Sequence, residues 1–417
     1  MFKILSILLL LIVCEIGYGK IIQHQIFKKY DRVTKLIKSG EWKQIIAQSR
    51  NSGNETLYDW YDDFYNINVT IGTPPQTLSL ALDTNSAVTW VIDSACYTDY
   101  CVGWTVSDYD KNQYFTFNTT TYKNASRLFS VKYANGDEAS GWVASDVFKF
   151  DGFSLSRAEF GLAEDVNKHV GFEPIDGYFG VGWPTFDVDG MTPPIWNITD
   201  QMDQQMFTIW LDRHPSFLEY GSNGGQITIG GLDTQNCNVN FNWVPLNTAA
   251  QWEFKLDSFS ISSYTDSKTV AAISDVGKSF IGAPYWALNK IEKFTYASYD
   301  LEQDIYFVHC NRTGLPDLIF TIGGVKYHVP QSEYVLDLNM SNGMCVLAVY
   351  ELKFNGFSPT WILGDSFIRS YCQAYDMQNR RVVFSTAHHS EIQKKDYNKN
   401  NLFSNCIFNK PESFPNK

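Results

Sequence analysis

The chain has 417 residues, 44% of them hydrophobic, 16% aromatic and 19% charged, with a formal net charge of −12. That length exceeds what one hydrophobic core ordinarily spans, so two domains are expected. The composition is globular and excludes a disordered or collagenous chain.

Residues 1–19 start with Lys3, carry an apolar run from Ile7 to Val13 and finish on the small residues Gly17 and Gly19. This is the pattern of a secretory signal peptide, with cleavage expected after Gly19. The competing reading is a membrane anchor. The run is too short to span a bilayer, and Glu15 interrupts its end. No other stretch of the sequence is apolar enough to cross a membrane, so no membrane partner is expected.

Residues 20–57 form a basic leader. Between residues 20 and 50, eight Lys or Arg face only Asp31 and Glu41, whereas from residue 51 onward 24 basic residues stand against 42 acidic ones. A basic segment ahead of an acidic body suggests that one docks on the other. The alternative, a basic arm for nucleic acid, is disfavoured by a secretory route. Ile21 and Ile26 suggest a short strand, and Val33, Leu36, Ile37, Ile45 and Ile46 have roughly helical spacing.

From about residue 58 to 388 the texture is all-β. Short runs rich in Val, Ile, Thr, Phe and Tyr alternate with Gly, Pro, Asn and Asp turns, as at Asn66 to Ile71, Leu78 to Leu82, Gln226 to Ile229 and Arg381 to Phe384. A weak internal repeat runs through it. The run ending in Asp83-Thr84-Asn85-Ser86 and the run ending in Asp275-Val276-Gly277-Lys278 are each a buried strand closing on an acid and a turn. Each is followed, much later, by two large apolar residues and a glycine: Tyr178-Phe179-Gly180 and Ile362-Leu363-Gly364. Two lobes, residues 58–235 and 236–390, each presenting one aspartate, follow from that repeat. Residues 391–417 form a polar, lysine-rich tail.

Seven cysteines remain after the signal: Cys96, Cys101, Cys237, Cys310, Cys345, Cys372 and Cys406. In an oxidising compartment most should pair, and the odd count leaves one over. Cys96 and Cys101 are spaced for a small loop. A zinc site is the alternative, but no two of these cysteines have CxxC spacing. Asn54, Asn68, Asn118, Asn124, Asn197, Asn311 and Asn339 are N-glycosylation sequons, several of which are expected to carry glycans.

Two aspartates on facing loops define a chemistry. Adjacent carboxylates cannot both ionise cheaply, so they share a proton over an acidic range. The ionised member can take a proton from water while the protonated member hydrogen-bonds a scissile carbonyl. Neither a metal nor another cofactor is required. No HExxH zinc motif and no GxSxG elbow is present. Val276-Gly277-Lys278-Ser279 has the ending of a phosphate-binding loop, but Ala272 stands where its first glycine belongs.

At these residues the sequence resembles the pepsin family of aspartic proteases, including its lysosomal cathepsin D-like members. The resemblance is carried by Ile71-Gly-Thr-Pro-Pro-Gln76, Leu82-Asp83-Thr84, Trp90-Val91, Pro174-Ile-Asp-Gly177 with Gly180, Ile229-Gly-Gly-Leu-Asp233, Trp243-Val-Pro245 and Trp361-Ile-Leu-Gly-Asp365. These motifs occur in a single order between about Tyr58 and Ala387. The resemblance implies a bilobal all-β fold with the cleft between two pseudo-symmetric lobes. It also implies a secreted or lysosomal endopeptidase that works on peptide or protein as a monomer. It assigns Asp83 and Asp275 to the catalytic pair and Tyr133 to the flap that closes over substrate. Trp90 matches that tyrosine's hydrogen-bonding partner, Ser86 the serine supporting the first aspartate, and Gly277 the glycine of the second active loop. It implies the pairs Cys96–Cys101 and Cys310–Cys345, leaving Cys237 and Cys372 as partners and Cys406 odd. It makes the basic leader a propeptide that blocks the acidic cleft at neutral pH.

The two active loops depart from the family's Asp-Thr-Gly-Ser/Thr pattern. Asn85 stands for a glycine, Val276 for a threonine whose hydroxyl ties the two loops, and Lys278 for a small hydroxyl residue that bonds the second aspartate. Ala134 replaces a flap glycine. The side chain of Asn85 is expected to enter space beside the substrate, and asparagine tolerates a positive φ. Val276 is expected to remove hydrogen bonds, and Lys278 either to favour the charged form of Asp275 or to extend to solvent. The alternative function is therefore a protease-like protein that binds peptides in its cleft without cutting them.

Overall fold

The computed structural model describes residues 20–29, 64–103, 109–133, 136–150, 152–186, 190–212, 222–240, 242–338, 340–352 and 359–389. The helical spacing expected after residue 30, the flap residue Ala134, the sequons at Asn54 and Asn339, Cys406 and the polar tail lie outside the described residues. Strands dominate, as the β-branched and aromatic runs require. The four example runs fall inside Phe64–Ile71, Gln76–Asp83, Ser222–Ile229 and Arg381–Thr386. Among the described residues no helix is long and apolar enough to cross a membrane.

One thirteen-stranded sheet forms the backbone of the molecule. Met206–Leu211, Ser222–Ile229, Ile22–Lys29, Phe64–Ile71 and Gln76–Asp83 lie side by side at its middle. On one side follow Gly177–Gly180, Trp90–Ile92 and the long strands Phe153–Val166, Glu138–Phe150 and Lys123–Lys132. The other side ends with Tyr371–Asp376, Arg381–Thr386 and Val244–Pro245. The sheet thus takes strands from both sides of residue 235, the C-terminal strands joining through Tyr375 opposite Phe207. A five-stranded sheet and two four-stranded sheets complete the C-terminal half.

The internal repeat is a repeat of topology. Gln76–Asp83 pairs in parallel with Gly177–Gly180, which pairs antiparallel with Trp90–Ile92. Val270–Ser274 pairs in parallel with Trp361–Leu363, which pairs antiparallel with Ile281–Ala283. In each triplet the loop after the aspartate crosses close over the glycine that ends the middle strand. A β-carbon on Gly180 would lie 2.7 Å from the carbonyl oxygen of Ser86 and 2.8 Å from that of Val88. On Gly364 it would lie 2.1 Å from the carbonyl oxygen of Lys278 and 2.3 Å from that of Phe280. These glycines bring each aspartate loop down onto its supporting strand.

Among the described residues three disulfides form: Cys96–Cys101, Cys237–Cys372 and Cys310–Cys345. The second joins residues 135 positions apart. Asp337 lies beside Cys310 and Cys345, but those two sulfurs are bonded to each other, which removes the thiolates a zinc site needs. Asn68, Asn118, Asn124, Asn197 and Asn311 are all exposed, so none of these sequons is hidden in a core strand.

Gly364→Ala is expected to lower unfolding stability by about 1–3 kcal/mol, because the added carbon meets backbone and not a movable side chain. A shift of the denaturant midpoint to lower concentration checks this; an unchanged midpoint would mean the loop has room to move.

Candidate active site

Asp83 is the last residue of its strand, and Asp275 follows directly after Ser274. Both are buried, at 7% and 2% exposure. They converge on one point. The position a β-carbon would take on Gly277 lies 3.3 Å from Asp275 Oδ1 and 3.5 Å and 3.6 Å from Asp83 Cγ and Oδ1. Two acids separated by almost two hundred positions thus share one small volume.

Backbone donors hold each carboxylate. The N–H groups of Asn85 and Ser86 donate to Asp83 Oδ1 at 2.7 Å and 3.0 Å. The N–H of Gly277 donates to Asp275 Oδ1 at 3.0 Å. Burial nevertheless pushes the carboxyl of Asp83 above its ordinary value. The N–H of Asn85, the charge of Lys278 and the N–H of Ser86 oppose that rise, in that order, and the charge of Asp137 adds to it.

The three departures have definite places. Asn85 does not lie in the left-handed backbone region, so no positive φ has to be tolerated there. Its side chain crosses between lobes instead, where Gln251 Nε2 donates to Asn85 Oδ1 at 3.3 Å. Val276 is buried and supplies no hydroxyl, so the tie between the loops is one-sided. Thr84 Oγ1 donates to the carbonyl of Ser274 at 3.3 Å and accepts from the N–H of Val276 at 3.1 Å. Lys278 is half-buried, and its charge acts on Asp83 across the pair.

The hairpin expected to be the flap pairs Lys123–Lys132 with Glu138–Phe150. At its tip the N–H of Tyr133 donates to the carbonyl of Asp137 at 2.8 Å, and Gly136, at φ 91°, donates back to the carbonyl of Tyr133 at 3.0 Å. The indole N–H of Trp90 donates to the hydroxyl of Tyr133 at 2.9 Å. Burial, then the charge of Asp83, pushes the Tyr133 phenol far above its ordinary value, so it stays a neutral donor. Ser86 supports Asp83 through its backbone N–H, while its hydroxyl accepts from the N–H of Val88 at 3.1 Å and bonds Tyr133.

Sequence reasoning did not assign three neighbours. Tyr178 stacks on Tyr133 with ring centres 4.8 Å apart and donates to Asp137 Oδ2 at 2.7 Å. Asp137 is 1% exposed, and its position directly after the flap glycine was the available signal. Gln251 gave none, because its contact with Asn85 spans 166 positions.

Residues 64–387 match the family model described as eukaryotic aspartyl protease. The chain is 41% identical over 368 residues to aspartic protease 1 of Caenorhabditis elegans, covering 86% of this chain and 92% of that protein. It is 40% identical over 362 residues to aspartic protease 17 of the same organism, covering 85% and 92%. It is 28% identical over 381 residues to pepsin A of Bos taurus, covering 87% and 98%. The chain belongs to the eukaryotic aspartyl protease family.

Removing the Trp90 donor should loosen the flap tyrosine. Trp90→Phe is expected to lower kcat/KM roughly fivefold, the equivalent of one net hydrogen bond of about 1 kcal/mol. Steady-state cleavage of a fluorogenic peptide measures it, and an unaltered kcat/KM would remove this bond from the working site.

Proposed function

We propose that the chain hydrolyses peptide bonds at acid pH, with Asp83 and Asp275 as a catalytic dyad. The convergence of both carboxylates within 3.6 Å of the Gly277 β-carbon position carries this reading. The dyad holds one proton, which the burial of Asp83 favours, and it titrates as a unit. The ionised carboxylate takes a proton from water as the oxygen adds to the scissile carbonyl carbon. The protonated carboxyl meanwhile donates to the carbonyl oxygen. The tetrahedral diol then collapses: the carboxyl that took the water's proton passes it to the leaving nitrogen, the C–N bond breaks, and the other carboxylate takes back a diol proton. Tyr133, tied to Trp90, closes over an extended peptide in the cleft between the lobes 58–235 and 236–390.

Secretion or a lysosomal destination is supported by the leader of residues 1–19, by three disulfides and by the exposed sequons. A propeptide role for residues 20–57 is supported by its basic charge against an acidic body. Its first strand, Ile22–Lys29, lies between Ser222–Ile229 and Phe64–Ile71 with Ile26 fully buried. Releasing that segment therefore requires opening the large sheet and not only weakening an electrostatic contact.

Asp83→Ala and Asp275→Ala are each expected to abolish peptide cleavage by the secreted, acid-treated protein, with a statine-type transition-state analogue blocking the wild type. A folded wild-type protein that has lost its leader and still cuts nothing would overturn the reading. Because the pKa of Asp83 is raised, activity should persist below that value and fall as pH rises through it. Lys278→Thr removes a charge that lowers this pKa, so the high-pH limb of the rate profile should move to higher pH. A limb that stays in place would show that the ammonium does not act on the working dyad.

A further inference from the structure

Three buried polar side chains stand behind the Asp275 loop that the chemistry above does not use. Ser274, Gln373 and Tyr375 are 1%, 0% and 0% exposed. Gln373 and Tyr375 are alternate residues of Tyr371–Asp376 and therefore face the same side of the sheet. The hydroxyl of Tyr375 donates to Gln373 Oε1 at 2.8 Å and lies 3.2 Å from Ser274 Oγ. Ser274 Oγ donates to the same Gln373 oxygen. The phenol also bonds the side chain of Thr84, the residue after Asp83. Its oxygen thus sits where the two aspartate loops meet, touching Ser274 on one and Thr84 on the other. The ring is fixed by stacking on Phe207, with centres 4.7 Å apart at 17°, and by the edge contact with Trp252 at 5.0 Å. Burial holds the phenol protonated; its single proton goes to Gln373 Oε1, so toward Ser274 and Thr84 its oxygen can only accept.

At the same place the direct tie between the loops is one-sided. Thr84 reaches across to Ser274 and Val276, and Val276 has no hydroxyl with which to reach back. The hydroxyls of this buried cluster join the two segments that a hydroxyl at position 276 would have joined, while Gln373 Nε2 makes no hydrogen bond among the described residues.

We propose that Tyr375, held by Gln373 and Ser274, is a positioning residue that replaces the missing hydroxyl of position 276 and fixes the two aspartate loops against each other. The proposal rests on the dyad reading above. Tyr375 touches neither substrate nor the reacting atoms; it acts through Thr84 and Ser274 on the spacing of the carboxylates.

The test is a double-mutant cycle in the full secreted, acid-treated chain, with Tyr375→Phe, Val276→Thr and the two combined. Tyr375→Phe keeps the ring and its stacking. It is expected to lower kcat about tenfold while KM stays within about twofold, and to weaken calorimetric binding of a statine-type analogue by about tenfold. Adding Val276→Thr to Tyr375→Phe should restore most of both losses, which a merely structural role for the ring would not allow. Gln373→Leu, which removes the acceptor shared by both hydroxyls, should give the same fall and the same rescue. Wild-type kcat and analogue affinity in Tyr375→Phe would overturn the proposal and leave the dyad standing. So would a loss that Val276→Thr does not repair in a protein with an unshifted unfolding midpoint. A wild-type chain that neither cleaves nor binds the analogue would overturn the dyad reading, and this proposal with it.

Discussion

Everything in this structure answers to the burial of two carboxylates in one small volume. A carboxylate taken out of water is costly unless donors meet it, and two side by side repel each other as well. Here the donors are backbone N–H groups, from Asn85 and Ser86 to Asp83 and from Gly277 to Asp275. Backbone donors can be aimed only by fixing the loops that carry them. Each loop is accordingly pressed onto the end of a supporting strand, where Gly180 and Gly364 leave no room for a β-carbon. The parallel pairings of Gln76–Asp83 with Gly177–Gly180 and of Val270–Ser274 with Trp361–Leu363 then set the height of each acid.

Around that constraint the residues of the two loops reach distant partners. Asn85 stands where the resemblance leads one to expect glycine, and its side chain accepts from Gln251, 166 positions away. Val276 removes a hydroxyl, while Thr84 still spans to the opposite loop and Tyr375 stands directly behind it. Lys278 adds a positive charge that opposes the effect of burial on Asp83. Each change falls on an interaction between lobes or between loops, so the compensating residues also come from distant parts of the chain.

The aromatic residues link this centre to the rest of the core. Trp183 packs on Trp196 and Trp252, and Trp252 reaches Tyr375 and Phe207. The indole N–H of Trp252 also donates to the carbonyl of Val181 at 3.3 Å, just beyond the glycine under the first aspartate loop. On the flap side Trp90, Tyr133 and Tyr178 form a second group that ends on buried Asp137. Rings of this size bury large apolar areas, so each group contributes substantially to the core it packs in.

The sequence by itself determined the all-β texture, the repeat of two acid-bearing strands and the family, and through that resemblance the expected cysteine pairs. Those features are written in local periodicity, in turn residues and in motifs a few positions long. Asp83 and Asp275 stand at the ends of that repeat, whereas Tyr133 and Trp90 were picked out only by the resemblance. Gln251, Asp137, Tyr178 and Tyr375 were not legible, because what matters about them is a partner across the fold. Nor did the sequence reveal that Ile22–Lys29 would be an inner strand of the large sheet, or that Tyr371–Asp376 would return to pair with Met206–Leu211. The same holds for the outcome of the three departures. Residue type stated what each could do, but the hydrogen bonds from Gln251 to Asn85 and from Val276 to Thr84 are distances, and only the tertiary structure brings those groups within range of one another.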